Sequence, residues 1–219
     1  KLWADMAAMG WMALLVPESQ GGLGLGLTEA GLVAEEAGRQ LLNLPWAGSA
    51  VLLALWFKAA PDAAPAALRD AVRAALAGER ALHCVAEQDA WWDHAGQCSD
   101  IAVVRGWHDA DVPLQIALLD AAALPAGAGL DPTLRQCAAA QGVLDWHTVA
   151  IPAEARAQAR TAHRLMLAAE LVGVAQAALE MASGYARERV QFGKPIGSYQ
   201  AIKHQLANAW MGVDNARLS

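Results

Sequence analysis

The stretch YARERVQFGKPIGSYQ, residues 185–200, decides how the second half of this chain folds. It begins with a helical pattern, is broken by a glycine and a proline, and gives way to a second helical pattern. This arrangement predicts two antiparallel helices joined by a tight turn. Beside the turn lie Arg189, Gln191 and Phe192. A cation, an amide and an aromatic ring in one place suit a ligand that carries both phosphate and a ring system.

Helical patterns dominate the chain on both sides of a short β-type region. Before residue 80, four patterns with helical spacing and typical end signals cover residues 2–15, 29–40, 47–58 and 66–77. Short apolar runs bounded by turn residues then predict strands at residues 82–86, 101–104, 115–119 and 146–151. A long helix is predicted from Ala153 to about Arg189, and another from Tyr199 to about Leu218.

These patterns predict an α+β fold that is mainly α. Residues 1–79 form an N-terminal all-helical domain, and residues 80–152 form a β-rich middle domain that is shortened or lacks a segment. Residues 153–219 form the first two helices of a C-terminal up-down helical bundle. Because two antiparallel helices cannot enclose a full core, further helices or a partner chain are expected to complete the bundle.

Composition excludes several classes of function. The chain has 219 residues, of which 56% are hydrophobic, and its formal net charge is −6. An acidic chain lacks the basic surface that nucleic-acid binding requires. No uninterrupted apolar run approaches the ~20 residues of a membrane span, so no span is expected. The three cysteines show no CxxC spacing, which predicts reduced thiols in a cytoplasmic protein without a metal site.

Two motifs resemble the acyl-CoA dehydrogenase family of flavoproteins. The first is the helical hairpin, in which the matching residues are Tyr185, Arg187 or Arg189, Gln191, Phe192, Gly193, Pro195, Ile196, Gln200, Leu206, Ala207 and Arg217. The second is the N-terminal Pro-Glu loop, in which Val16-Pro17-Glu18 precedes the glycine-rich segment 21–26. The two motifs lie near opposite ends of the chain, while the middle segment matches the family poorly.

The resemblance implies an FAD-dependent α,β-desaturation of an acyl-CoA thioester. It assigns Arg189, Gln191, Phe192 and Gln200 to cofactor binding, with the hairpin reaching the FAD of a dimer mate. It places His163 and Arg164 near the substrate, although the catalytic residue itself stays unknown because the family's usual base lies in a later segment. Electron-transfer flavoprotein is the implied acceptor, and a homodimer or tetramer is the implied assembly.

The middle segment departs from the family pattern and leaves a second function open. Residues 83–87 resemble the first flavin-contacting strand, but Gln88-Asp89-Ala90-Trp91-Trp92 replaces the family's glycine-rich loop. The strand that stacks on the flavin ring is not recognisable. The alternative is therefore a non-catalytic partner or structural subunit of an acyl-CoA dehydrogenase complex.

Overall fold

The computed structural model describes residues 1–59, 62, 64–109, 111–125, 127, 131–140 and 142–219. These residues form two compact units. The first unit contains Lys1–Ala30 and Asn43–Arg164, and the second contains Gly31–Leu42 and Leu165–Ser219. The domain boundaries predicted from the sequence follow the chain order, whereas these units group segments that are distant in sequence.

The helices follow the predicted order. They are α1 (Leu2–Ala8), α2 (Leu27–Arg39), α3 (Ala54–Ala59), α4 (Ala66–Leu76), α5 (Ala153–Glu188) and α6 (Gln200–Leu218). The first helix is shorter than predicted because Gly10 adopts a left-handed conformation with φ of 79° and ends it. Ala47–Leu53 forms a buried π-helical segment that leads into α3, where a regular helix was predicted.

Among the described residues of the first unit, four strands form a mixed sheet and two more form a separate pair. They are β1 (Leu82–Ala86), β2 (Trp91–Trp92), β3 (Asp100–Arg105), β4 (Gln115–Asp120), β5 (Cys137–Ala138) and β6 (His147–Thr148). The sheet order is β1-β3-β4-β6, with β1 parallel to β3, and β2 pairs separately with β5. The predicted strands at 82–86, 101–104 and 115–119 are present. The predicted strand at 146–151 contains only two paired residues, and β2 and β5 are too short to leave a periodic pattern.

One face of this sheet is closed by side chains from the same chain. Val85, Ile101 and Val103 point into an apolar cluster, where Trp92 from β2 and Cys137 from β5 cover them. Trp92 is only 2% exposed and Cys137 is 4% exposed. The segments that follow β1 therefore fold back and fill this face of the sheet.

In the second unit, α2 crosses α5 at very close range. A Cβ atom on Gly38 would lie 1.9 Å from the carbonyl oxygen of Glu170, and one on Gly173 would lie 1.8 Å from that of Glu35. Only glycine permits such an approach of two helix backbones. The Arg217 guanidinium at the end of α6 reaches Glu35 at 2.7 Å and Gln176 at 3.2 Å, so α6 runs back along α5 as predicted.

Helix α5 is long and apolar enough to cross a membrane, judged by length and composition only. An 18-residue window of this helix has a mean hydropathy of 1.5, and 11% of that window is buried. The sequence predicted no span because it was searched for uninterrupted apolar runs, whereas this helix contains isolated charged residues among its apolar ones. Length and composition alone are weak grounds for a span, because a core helix of a soluble protein passes the same test.

Candidate functional site

The turn between α5 and α6 is a minimal β-hairpin with an unusual residue at its tip. Strand β7 (Val190–Gln191) pairs antiparallel with β8 (Lys194–Pro195), so Phe192 and Gly193 form a two-residue loop. Their φ angles are 52° and 78°. Positive φ at both positions is typical of a type I′ turn, which prefers Asn-Gly. A bulky phenylalanine in the left-handed region is strained by about 1–2 kcal/mol.

Contacts within the second unit hold this hairpin in place. The Tyr199 hydroxyl donates a hydrogen bond to the Gln191 carbonyl oxygen at 3.1 Å. The Lys194 ammonium lies 4.4 Å from the centre of the Tyr199 ring, within the range of a cation–π contact. A Cβ atom on Gly197 would lie 2.8 Å from the Ala186 carbonyl oxygen, so the returning chain passes close to the end of α5.

The four residues assigned to cofactor binding all expose their side chains. Arg189, Gln191, Phe192 and Gln200 lie at or beside the hairpin, and the structure brings them to this one corner of the second unit. The Phe192 side chain is 93% exposed. The Gln191 amide donates only to the adjacent Val190 carbonyl oxygen, at 2.8 Å. A cation, an amide and a ring are thus presented outward from a fixed backbone.

A shallow groove lies beside the hairpin. It has a volume of about 340 Å³ and is lined by Ser183, Ala186, Arg187, Pro195, Gly197 and Leu206. Arg187 and Arg189 therefore have different surroundings, although both match the family pattern. Arg187 lines the groove, whereas Arg189 stands directly before β7.

The two residues assigned to the substrate side lie near the other end of α5, in the first unit. His163 is half-buried, and burial lowers the pKa of its imidazole, with a smaller contribution from the neighbouring Arg164. Arg164 is exposed, and no carboxylate of the described residues pairs with it. Their role near a substrate stays a prediction.

Two residues with unusual surroundings were not identified as site residues from the sequence. His83 on β1 has a ring nitrogen, Nδ1, that is buried without a hydrogen-bond partner. His94, which follows β2, lies with its ring centre 6.3 Å from that of His83. His83 begins the segment that resembles the family's first flavin-contacting strand, but no sequence pattern connects it with His94, so only the packing of β1 against the later segment reveals the pair.

Glu170 on α5 is a third residue with a perturbed environment. Its side chain is half-buried, and this burial raises the pKa of its carboxyl group to about 7. Among the described residues no cation pairs with it. A half-buried carboxyl without a partner is a candidate proton carrier.

We expect Glu170→Gln to stabilise the protein at alkaline pH. The folded carboxyl keeps its proton up to about pH 7, whereas the unfolded one loses it near 4.5. Stability is therefore lost as the pH rises through this window. Because the side chain is partly exposed, we expect a gain of only about 1–2 kcal/mol at pH 8 and almost none at pH 4.5. Urea unfolding at both pH values measures this difference. The exposed Glu79→Gln is the control, and equal gains at both pH values would contradict the assignment.

The chain's residues fit FAD in one region and not in another. The hairpin fits the pyrophosphate end, because arginine can grip two phosphate oxygens and Arg187, Lys194 and Lys203 add positive charge nearby. The sheet face that carries Val85 and Ile101 does not offer a place for the ring system, because Trp92 and Cys137 already cover it. Among the described residues, no group of three or more His, Cys, Asp or Glu side chains is placed to hold a metal ion.

An N-terminal helical region, a small sheet and a long helical pair joined by a type I′ hairpin define the class of this protein. Residues 1–57 match the family description "Acyl-CoA dehydrogenase, N-terminal domain". Residues 156–219 match "Acyl-CoA dehydrogenase, C-terminal domain". The chain belongs to the acyl-CoA dehydrogenase family, as the two sequence motifs predicted, and the predicted fold class is confirmed.

One curated relative supports this assignment, and two solved structures share the fold. The chain is 33% identical over 210 residues to acyl-CoA dehydrogenase IpdE2 of Mycobacterium tuberculosis, covering 95% of this chain and 60% of that protein. The ChsE4-ChsE5 complex of the same organism contains a chain with a TM-score of 0.75 and 23% identity, over 99% of this chain and 65% of that one. A structure of PigA with FAD and proline has a TM-score of 0.70 and 17% identity, over 99% of this chain and 68% of that one. The chain therefore spans less than two thirds of the length of the first two relatives.

Proposed function

We propose that this chain is part of an FAD-dependent acyl-CoA dehydrogenase assembly, in which its hairpin contacts the phosphate end of FAD held by a neighbouring subunit. The single observation that supports this most is Phe192, which is both strained at φ 52° and 93% exposed. Strain of this kind persists where function requires it. A ring with this exposure gains very little from burial within its own chain.

The surrounding charges support an anionic ligand. The segment around the hairpin contains four cations, Arg187, Arg189, Lys194 and Lys203, against the single carboxylate of Glu188, in a chain whose net charge is −6. The Arg189 guanidinium presents several donors in one plane, which matches the oxygens of a phosphate group. The exposed Gln191 amide adds neutral donors beside it.

The reaction in this proposal is the desaturation of an acyl-CoA thioester. FAD, when bound, supplies the two-electron acceptor that this reaction needs. Electron-transfer flavoprotein is the proposed external acceptor, and the proposed compartment is the cytoplasm, where the three free thiols at Cys84, Cys98 and Cys137 stay reduced. His163 and Arg164 are proposed to lie on the substrate side.

Titration of the purified assembly with FAD, followed by flavin fluorescence, tests the hairpin directly. We expect Arg189→Gln to weaken FAD binding about 10–100-fold, because a charge-assisted hydrogen bond contributes about 1.5–3 kcal/mol. Arg73→Gln is the matched control, since it removes the same charge from an exposed arginine on α4 in the first unit, and we expect a change of less than about threefold, as for other exposed charge pairs. Equal losses in both variants would indicate only a general effect of charge. No loss in Arg189→Gln would overturn the assignment.

A second candidate function is a non-catalytic subunit that completes the flavin site of a different family member. The filled sheet face favours it, because the chain then lacks a ring site of its own on that face. The structural similarity to a chain of the ChsE4-ChsE5 complex gives an example of a two-component assembly. On this hypothesis the chain alone is colourless and takes up no FAD, whereas its complex with the partner contains FAD and loses it in Arg189→Gln.

A further inference from the structure

We propose that His83, His94 and His163, here called the histidine cluster, form a proton-sensitive joint that opens the first unit when the pH falls. The three rings come from β1, from the segment after β2 and from the first half of α5. Protonation of the cluster therefore acts on contacts between segments that are distant in sequence. This proposal does not depend on the proposed function.

The described residues that pack on the Nδ1 side of His83 supply no counter-ion. Its Nδ1 atom is buried without a hydrogen-bond partner. A Cβ atom on Gly48 would lie only 3.3 Å from this nitrogen, so the ring packs directly against the backbone of the π-helical segment. Next to Gly48, the hydroxyl of Ser49 is also buried without a partner. Neither residue can compensate a positive charge on the ring.

The charged groups around His83 oppose its protonation. Burial, followed by His94 and His163, lowers the pKa of His83 to about 3, while a hydrogen bond with the Asp93 backbone acts in the opposite direction. Burial lowers the pKa of the His163 ring, and the neighbouring Arg164 lowers it further by a smaller amount. No carboxylate among the described residues acts on His83 itself.

His94 differs because carboxylates surround it. Burial lowers the pKa of its ring, but Asp93 and Asp131 raise it. Its ring also lies beside the amide of Gln97, at 3.3 Å, and that amide donates to Asn43 at 2.9 Å. A proton therefore enters the cluster most easily at His94, and its charge then lies 6.3 Å from the buried ring of His83.

The direction of the effect follows from linkage. In the folded protein His83 stays neutral down to about pH 3, whereas in the opened chain it binds a proton below about 6.5. The open state thus takes up more protons than the folded state between these values, and stability falls as the pH falls. For each pH unit below 6.5, the ratio of folded to open protein falls about tenfold.

Two measurements test this proposal. In the first, the histidine rings of the wild-type protein are titrated by NMR, and we expect the His83 ring to stay neutral at pH 5. In the second, urea unfolding is measured from pH 7 to pH 4.5 for the wild type and for His83→Gln. Between pH 6.5 and pH 4.5, we expect His83 to lower the folding equilibrium constant of the wild type about 100-fold. His83→Gln is expected to lose most of this pH dependence. His204→Gln, an exposed histidine on α6, is the control and is expected to follow the wild type.

Hydrogen exchange locates the opening. After correction for the intrinsic pH dependence of exchange, we expect the amides of β1 and of residues 91–98 to lose protection at pH 5, before those of α6. Titration of His83 near its ordinary pKa of 6.5 would overturn the proposal, as would an unchanged pH dependence in His83→Gln. If that variant does not fold, the NMR titration and the exchange measurement on the wild type decide alone.

Discussion

Gly173→Ala is expected to destabilise the second unit by about 3 kcal/mol, because a new Cβ atom would collide with the backbone of another helix. The atom would lie 1.8 Å from the Glu35 carbonyl oxygen and 2.6 Å from the Arg39 amide nitrogen. Backbone atoms inside a helix cannot move aside as a side chain can. The two helices must therefore separate, which also disturbs the hydrogen bond of 2.8 Å between Arg39 and Glu180.

Thermal unfolding followed by circular dichroism measures this effect. A loss of this size corresponds to a fall in Tm of about 6–12 °C for a chain of this length. Gly184→Ala is the matched control, because Gly184 lies on the same helix and nothing approaches its Cβ position within 4 Å. That variant should be more stable by about 0.5–1 kcal/mol, since alanine favours the helix. If both variants are stabilised, the close crossing of α2 and α5 is wrong.

Arg156→Met is expected to destabilise the first unit by about 2–4 kcal/mol. Arg156 is only 5% exposed. Its Nη1 atom donates to the carbonyl oxygens of Gly106, Asp109 and Val112, at distances of 3.3, 3.2 and 3.0 Å. Methionine fills much of the same volume but donates no hydrogen bond. The carbonyl oxygens of Gly106, Asp109 and Val112, in the connection between β3 and β4, would then lose this donor.

A second arginine, Arg160, contacts the same connection between β3 and β4, so we expect the effect of Arg156→Met to be localised there. One turn later on α5, Arg160 donates to the Trp107 carbonyl oxygen at 2.7 Å, and Trp107 packs edge-on against Trp56 at 4.6 Å. In Arg156→Met we therefore expect faster hydrogen exchange in residues 106–112, in addition to a lower urea midpoint. Arg73→Met, an exposed arginine on α4, should change stability by less than about 0.5 kcal/mol. A loss no larger than that of Arg73→Met would contradict the buried role of Arg156.

The elements that were predicted correctly have strong local signals. The long helix from Ala153 could be recognised because its sequence is rich in alanine and other helix-favouring residues and contains no proline. The tight turn at Gly193 could be recognised because glycine and proline interrupt that pattern. The assignments of Arg189 and Gln191 depended on resemblance, and the structure adds that both side chains are exposed beside a strained turn.

Other features left no local signal. Strands β2 and β5 have two residues each, so no alternation can develop, and only their pairing across more than forty residues defines them. The π-helical segment at Ala47–Leu53 has the apolar composition of an ordinary buried helix. Arg156 looks like a solvent-facing helix residue in the sequence, because burial of a charged residue depends on what packs over it.

The sequence by itself determined the family, the order of helical and β regions, and the corner that carries Arg189, Gln191 and Phe192. These properties depend on periodicity and on residues close together in the chain, and such patterns are set before any long-range contact forms. Only the tertiary structure decided the glycine crossing of α2 and α5, the burial of Arg156 and the meeting of His83 with His94. Each of these requires backbone segments far apart in sequence to approach within a few ångströms, and no local pattern specifies that approach.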